Sequence, residues 1–138
     1  MVDNVDIEIL KILNRNSRVT LKELGDQVHM SSPALAERIR KLEDQNVIKK
    51  YSIEVNPEKL GFVRPVFINV QITNPNHEKY LDFVAENRNF MLHHYRTTGN
   101  SNYLIEGAFQ STEELDNFLS KLSNFATYDV TDVVHFFF

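Results

Sequence analysis

The sequence predicts an α+β chain: an N-terminal winged-type helix-turn-helix of three helices, joined by a linker strand to a ferredoxin-like βαββαβ domain. Three observations carry this. Apolar residues recur at helical spacing in three short stretches before residue 46. Pro57 and Gly61 then interrupt the chain, and period-two alternation takes over, broken by two more helical stretches. The order of those later segments is strand, helix, strand, strand, helix, strand, the split βαβ arrangement.

The first helix is expected from Val5 to Arg15, with Asp3 or Asn4 as N-cap and Asp6 in its first turn. Val5, Ile7, Ile9, Leu10, Ile12 and Leu13 cover a wide arc, which suits the central helix of a small bundle. The second helix opens with a capping box, Thr20 and Glu23, and buries Leu21, Leu24 and Val28. The third opens at Ser31 or Ser32 with Pro33 in its first turn. Its Leu35, Ile39 and Leu42 form one inward stripe, and Asn46 is a left-handed stop. The turn between the second and third helices often carries glycine. Here it reads Val28-His29-Met30, so His29 would have to hold the turn conformation. Residues 47–56 read as a strand with a basic end.

In the second half, residues 64–73 alternate as a strand, and 77–88 form a helix with Tyr80, Phe83, Val84 and Asn87 on one face. Residues 91–98 read as a strand, Gly99-Asn100-Ser101-Asn102 as a turn, and 103–109 as the next strand. Ser111 and Glu114 form a capping box before a helix that places Leu115, Phe118, Leu119 and Leu122 on one face. Residues 129–138 form the last strand. Three regions follow: a helix-turn-helix domain over 1–50, a linker strand and hinge over 51–62, and a βαββαβ domain over 63–138. The last is expected to bind effector and to oligomerise.

A hydrophobic content of 42% and a charged content of 25% are ordinary for a globular protein. The absence of cysteine excludes disulfides and thiolate metal sites and fits a reducing compartment. No long apolar run or basic leader is present, so neither a membrane span nor a signal peptide is expected, and a cytoplasmic location on the nucleoid is. The net charge is −4, but it is unevenly placed. Residues 1–60 hold ten basic and ten acidic side chains, residues 61–138 five and nine. Within 38–50, five basic residues face only Glu43 and Asp44. Phosphate affinity follows such a local patch more than the overall charge, and several copies acting together would add avidity.

The third helix therefore reads as one shaped for the major groove of double-stranded DNA. Its opening turns, Ser31, Ser32, Pro33, Ala34, Glu37 and Arg38, are candidates for base edges. Arg38 suits guanine or phosphate and Glu37 suits cytosine. Arg40, Lys41, Lys49 and Lys50 are candidate phosphate contacts. In the last strand, Val134, Phe136 and Phe138 alternate on one face with Val133, His135 and Phe137 on the other. Two helices can cover only one face of a four-stranded sheet. The apolar remainder calls for a second copy, with Val134, Phe136 and Phe138 at the interface.

The whole order resembles the Lrp/AsnC, or feast/famine, family. The matching residues are Asp6-x-x-Ile9-Leu10, Ser17-Arg18, Leu24-Gly25, Ser31-Ser32-Pro33, Arg38-Ile39-x-x-Leu42-Glu43 and Val47-Ile48-Lys49-Lys50-Tyr51. Asn56-Pro57-x-x-Leu60-Gly61 and Thr98-Gly99-x-x-x-Tyr103-Leu104 follow in the expected places. The resemblance spans nearly the whole chain. It implies a DNA-binding transcription regulator, dimeric through its C-terminal domain and assembling further to tetramers or octamers. It also implies an amino acid or other small molecule as candidate effector. The effector loop would comprise Thr98, Gly99, Asn100, Ser101, Asn102 and Tyr103. The family's usual Gly-Asp-x-Asp-Tyr has become Gly99-Asn100-Ser101-Asn102-Tyr103. Carboxylates that could hold an ammonium group are replaced by uncharged amides, which also make a good turn.

Other chemistry is poorly supported. The five histidines show no metal-binding spacing, and adjacent His93 and His94 in a strand point to opposite faces. No phosphate loop or nucleophile motif is present, so neither a cofactor, a metal nor an enzyme is expected. Two alternatives remain. One is a DNA-architectural protein that wraps or bends DNA without effector control. The other is a sirohaem-decarboxylase-like enzyme on the same fold, with His94 and Arg96 meeting a tetrapyrrole carboxylate.

Overall fold

The computed structural model describes residues 1–137, which form two compact units that meet in sequence between Glu54 and Val55. The first unit holds α1 (Asn4–Arg15), α2 (Leu21–Val28) and α3 (Ser32–Asp44). Each begins with a side chain that satisfies an otherwise unpaired backbone donor. Asp3 and Asp6 form a reciprocal capping box on α1, Thr20 and Glu23 do so on α2, and Ser31 accepts from the Ala34 N–H on α3. Ile9, Leu24, Val28 and Leu35 make the core, with Ile12, Leu13, Val19, Met30 and Ile39 packed around it. Leu21 departs from expectation and is 41% exposed. At the end of α3, Asn46 takes φ 56° and lets Val47 and Ile48 donate back to Leu42.

The strand expected over 47–56 does not form. The reason is a missing ladder: an extended segment becomes a strand only against a partner, and none of the described residues pairs with it. Ile53 is 80% exposed. A short 3₁₀ turn over Pro57–Leu60 follows, capped by Asn56 and closed by Gly61 at φ 86°.

The second unit contains β1 (Arg64–Gln71), α4 (Glu78–Glu86), β2 (Met91–Arg96), β3 (Tyr103–Phe109), α5 (Thr112–Leu122) and β4 (Thr127–Asp132). The sheet runs β2-β3-β1-β4 with every pair antiparallel. Val66, Ile68 and Val70 on β1 and Tyr103, Ile105 and Phe109 on β3 face a core completed by Tyr80, Phe83 and Val84 of α4 and Leu115, Phe118 and Leu122 of α5. The register sets Phe67 opposite Glu106 and Asn69 opposite Leu104 on the other face. In the α5 cap, Ser111 accepts from Glu114 as expected, but Glu114 reaches back to the Gln110 N–H at 2.6 Å, one residue before the cap.

The last strand differs from its expected span of 129–138. It starts earlier, at Thr127, and ends at Asp132. Its partner β1 begins at Arg64, Asp132 lies opposite Val66, and a last bond runs from the Val133 N–H to the Pro65 carbonyl. Pro65 has no N–H to return, so the ladder stops there although Arg64 still belongs to β1. Val134 and Phe136, read as alternating strand residues, lie outside the ladder and are 96% and 70% exposed. Phe138 lies outside the described residues.

Candidate nucleic-acid interface

The geometry of α3 depends on a five-residue return of the chain. Val28 ends α2, and His29 takes φ 56° and ψ 45°, the left-handed conformation in which glycine is commonest. Met30 then donates to the Gly25 carbonyl at 2.9 Å. The strained conformation expected of His29 is the one it holds. Ser31 restarts the helix, and Pro33 occupies its first turn, where no backbone donor is needed.

Among the opening residues, Ser31, Pro33, Ala34 and Glu37 are exposed and Ser32 is half-buried. Arg40 and Lys41 are exposed on the same helix, and Lys49 and Lys50 are exposed just beyond it. Arg40 is held along α3 by Glu37, at 3.0 and 2.8 Å, and by Asp44 at 2.7 Å. These bonds lower the Glu37 carboxyl below its usual range and raise the guanidinium, hydrogen bonding first and charge second. Exposed pairs of this kind contribute little, so Arg40 can leave Glu37 and Asp44 at small cost.

Arg38 is placed differently from the other candidates. Its Nη1 donates to Asp3 Oδ2 and to Asp6 Oδ1, each at 2.7 Å. The guanidinium is therefore engaged by the first turn of α1, not presented outward for a base. Asp3 and Asp6 were legible only as a cap. The structure supplies what the sequence did not: Asp6, three residues before the fully buried Ile9, is itself 7% exposed. A carboxylate so enclosed requires a cation. Tyr51 was also missed. Its hydroxyl donates to Glu43 Oε1 at 2.7 Å, tying the segment after α3 to the helix.

The loop from Thr98 to Tyr103 is closed on its own domain. Thr97 donates through its N–H to the Asn102 carbonyl at 2.8 Å and through its hydroxyl to the Ser101 carbonyl at 3.0 Å. Asn102 donates its N–H to Val70 at 2.8 Å, and its side-chain oxygen accepts from the Ile72 N–H. That oxygen is a backbone clamp, a role a carboxylate or an amide fills equally. Gly99 takes φ 98° and Asn100 is exposed. Tyr103 is 4% exposed and faces inward, where its hydroxyl receives Arg96 Nη1 at 2.9 Å.

His94 and Arg96 belong to the same inward cluster. His94 Nε2 lies 2.8 Å from the Tyr80 hydroxyl, and its ring stacks on Tyr103 at 5.2 Å. Burial lowers the His94 pKa and pushes the Tyr80 phenol up. His94 is half-buried with its Nε2 on Tyr80, while Arg96 is exposed and rests on the Tyr103 hydroxyl. His93 points to the opposite face and meets Glu106 Oε2 at 2.8 Å. Among the described residues no group of three or more His, Asp or Glu is placed to hold a metal, and no helix is long and apolar enough to cross a membrane.

Residues 2–49 match the family described as winged helix-turn-helix DNA-binding, and residues 65–135 match the Lrp/AsnC ligand binding domain. The chain is 43% identical over 134 residues to the HTH-type transcriptional regulator LrpA of Bacillus subtilis, covering 97% of this chain and 98% of that one. The structure of B. subtilis LrpC superposes with a TM-score of 0.93 at 26% identity, covering 99% and 97% of the two chains. Transcriptional regulator NMB0573 of Neisseria meningitidis, solved as a complex with L-Met, superposes with a TM-score of 0.85 at 27% identity, covering 98% and 91%.

Proposed function

Because this chain belongs to the Lrp/AsnC family of HTH-type transcriptional regulators, we propose that it acts as an oligomer whose α3 helices enter the major groove of double-stranded DNA. The observation that carries this is the outward side of α3. Pro33, Ala34 and Glu37 in the opening turns, with Arg40 and Lys41 behind them, are all exposed on a helix whose other side is buried through Leu35 and Leu42. Pro33, Ala34 and Glu37, with Ser31 and Ser32, address base edges. Arg40, Lys41, Lys49 and Lys50 address phosphate.

Region 1–50 is the reading head, 51–62 the hinge, and 63–138 the part that assembles and senses. Assembly is supported by Val134 and Phe136, which the chain leaves exposed. Dimers, tetramers and octamers all answer that need. A related regulator was solved with L-Met, which supports a small-molecule effector at 98–103. The loop of this chain offers Asn100 and Ser101 with no carboxylate, so an effector held through its ammonium group would bind weakly.

The deciding experiment is selection of bound genomic fragments by the purified protein, with and without an amino-acid mixture. Enrichment of discrete fragments, changed by the mixture, supports an effector-gated regulator acting on the nucleoid. The amide loop gives weight to a second reading, an architectural protein without effector control. Even, salt-sensitive coverage that ignores amino acids would favour it.

A further inference from the structure

We infer that Arg38 is a positioning residue for DNA recognition: it fixes the roll of α3 against α1 through the Asp3–Asp6 pair and touches no DNA itself. This rests on the reading of α3 as the recognition helix.

Four bonds make a closed unit. Asp6 N–H donates to Asp3 Oδ1 and Asp3 N–H to Asp6 Oδ2, both at 2.9 Å, which is the α1 cap. The remaining oxygens, Asp3 Oδ2 and Asp6 Oδ1, both receive Arg38 Nη1 at 2.7 Å. Each carboxylate thus spends one oxygen on α1 and the other on α3. The Asp6 side chain is 10% exposed and that of Arg38 32%. Arg38 stands three residues after Leu35 and four before Leu42, on the core side of α3.

Apolar packing holds a helix in place without fixing its rotation closely, since it has no direction. Charge-assisted hydrogen bonds do have direction. A roll of roughly 20° moves a side-chain tip about 6 Å from the helix axis by about 2 Å. Base readout tolerates far less displacement than that. The Asp3–Asp6–Arg38 unit is therefore where the α3 surface acquires its register on the groove.

The experiment compares wild type, Arg38→Met, Asp6→Asn and the double variant on two duplexes. One is a fragment selected by the wild-type protein from genomic DNA; the other is an unrelated duplex of equal length. Asp6→Asn keeps an oxygen for the cap while weakening the hold on Arg38, and it leaves the Arg38 charge in place. Each single variant should lose about tenfold in the ratio of selected to unrelated affinity, the scale of one misread base pair. The double variant should lose no more than either single one. The slope of affinity against salt should stay as in wild type. A general folding defect would lower both affinities together and leave the ratio alone.

Three results would overturn the inference. A salt slope reduced by about 1 in Arg38→Met on both duplexes would make Arg38 a phosphate contact. A ratio that falls in Arg38→Met but holds in Asp6→Asn would make it a base contact. An unchanged ratio in both would make the unit a stabilising feature only. If wild type selects no fragment and binds neither duplex, the reading of α3 itself fails, which is a different outcome from these.

Discussion

The carbonyl of Gly25 accepts the Met30 N–H at 2.9 Å, and a Cβ on Gly25 would lie 2.5 Å from the Met30 carbonyl oxygen. The turn that delivers α3 thus folds back onto the one α2 residue without a side chain. Gly25→Ala forces backbone apart from backbone and should cost about 1–3 kcal/mol. Thermal unfolding followed by far-UV circular dichroism would register this as a drop of several degrees. An unchanged midpoint would mean that the turn relaxes freely.

His29 provides the opposite test. Its left-handed φ of 56° burdens a side chain with a Cβ by roughly 1 kcal/mol or more, part of which glycine returns as extra freedom in the unfolded chain. His29→Gly should raise the midpoint slightly, by about 0.5 kcal/mol of net stability. A fall would show that the His29 side chain makes a contribution beyond its backbone.

Tyr51 predicts a pH dependence. Burial, and then the bond to Glu43, push its phenol up to about 12 from the ordinary 10.0. Between those values the unfolded chain loses the proton while the folded one keeps it. Stability from this bond is therefore complete below pH 10.0 and declines as pH rises toward about 12. In Tyr51→Phe that part of the decline should vanish. Urea midpoints measured across this range for both proteins would decide it; parallel curves would remove Tyr51 from the account.

Phe136→Asp tests assembly. Phe136 is 70% exposed in the single chain, and a buried carboxylate at a partner interface would be strongly unfavourable. The mass by light scattering should fall below that of wild type. An identical mass would place the interface elsewhere.

Asn100→Asp tests the loop. Asn100 is exposed, so the new carboxylate is free to meet an ammonium group. Calorimetry with a panel of amino acids should show binding tighter by about tenfold, the scale of one charge-assisted bond. If wild type already responds clearly to several amino acids, the amide loop is not a weakened site.

What could be foreseen from the sequence divides along a physical line. Features set within four residues were visible: the Asp3, Thr20, Ser31 and Ser111 caps, the Asn46 stop and the Leu35–Leu42 stripe. Features set by a distant partner were not. Residues 47–56 have strand chemistry but no neighbour among the described residues to pair with. The alternation of Val134 and Phe136 continues past Asp132, yet the ladder stops at Pro65, which has no N–H to give. Arg38 carried the charge expected of a DNA contact, while its carboxylates stood 32 and 35 positions away. The turn expected at Gly99–Asn102 lies between β2 and β3, though β2 ends at Arg96 and not at 98, and nothing in its composition disclosed that Asn102 would be spent on Ile72.

The chain passes between its two cores once, through residues 49–56, which no ladder or helix protects. A protease meeting the native protein should therefore nick it there first. Over longer times the same span is a clean splice point. Recombination within it could join this reading head to a different sensor, or this sensor to a different reading head, without cutting through either hydrophobic core.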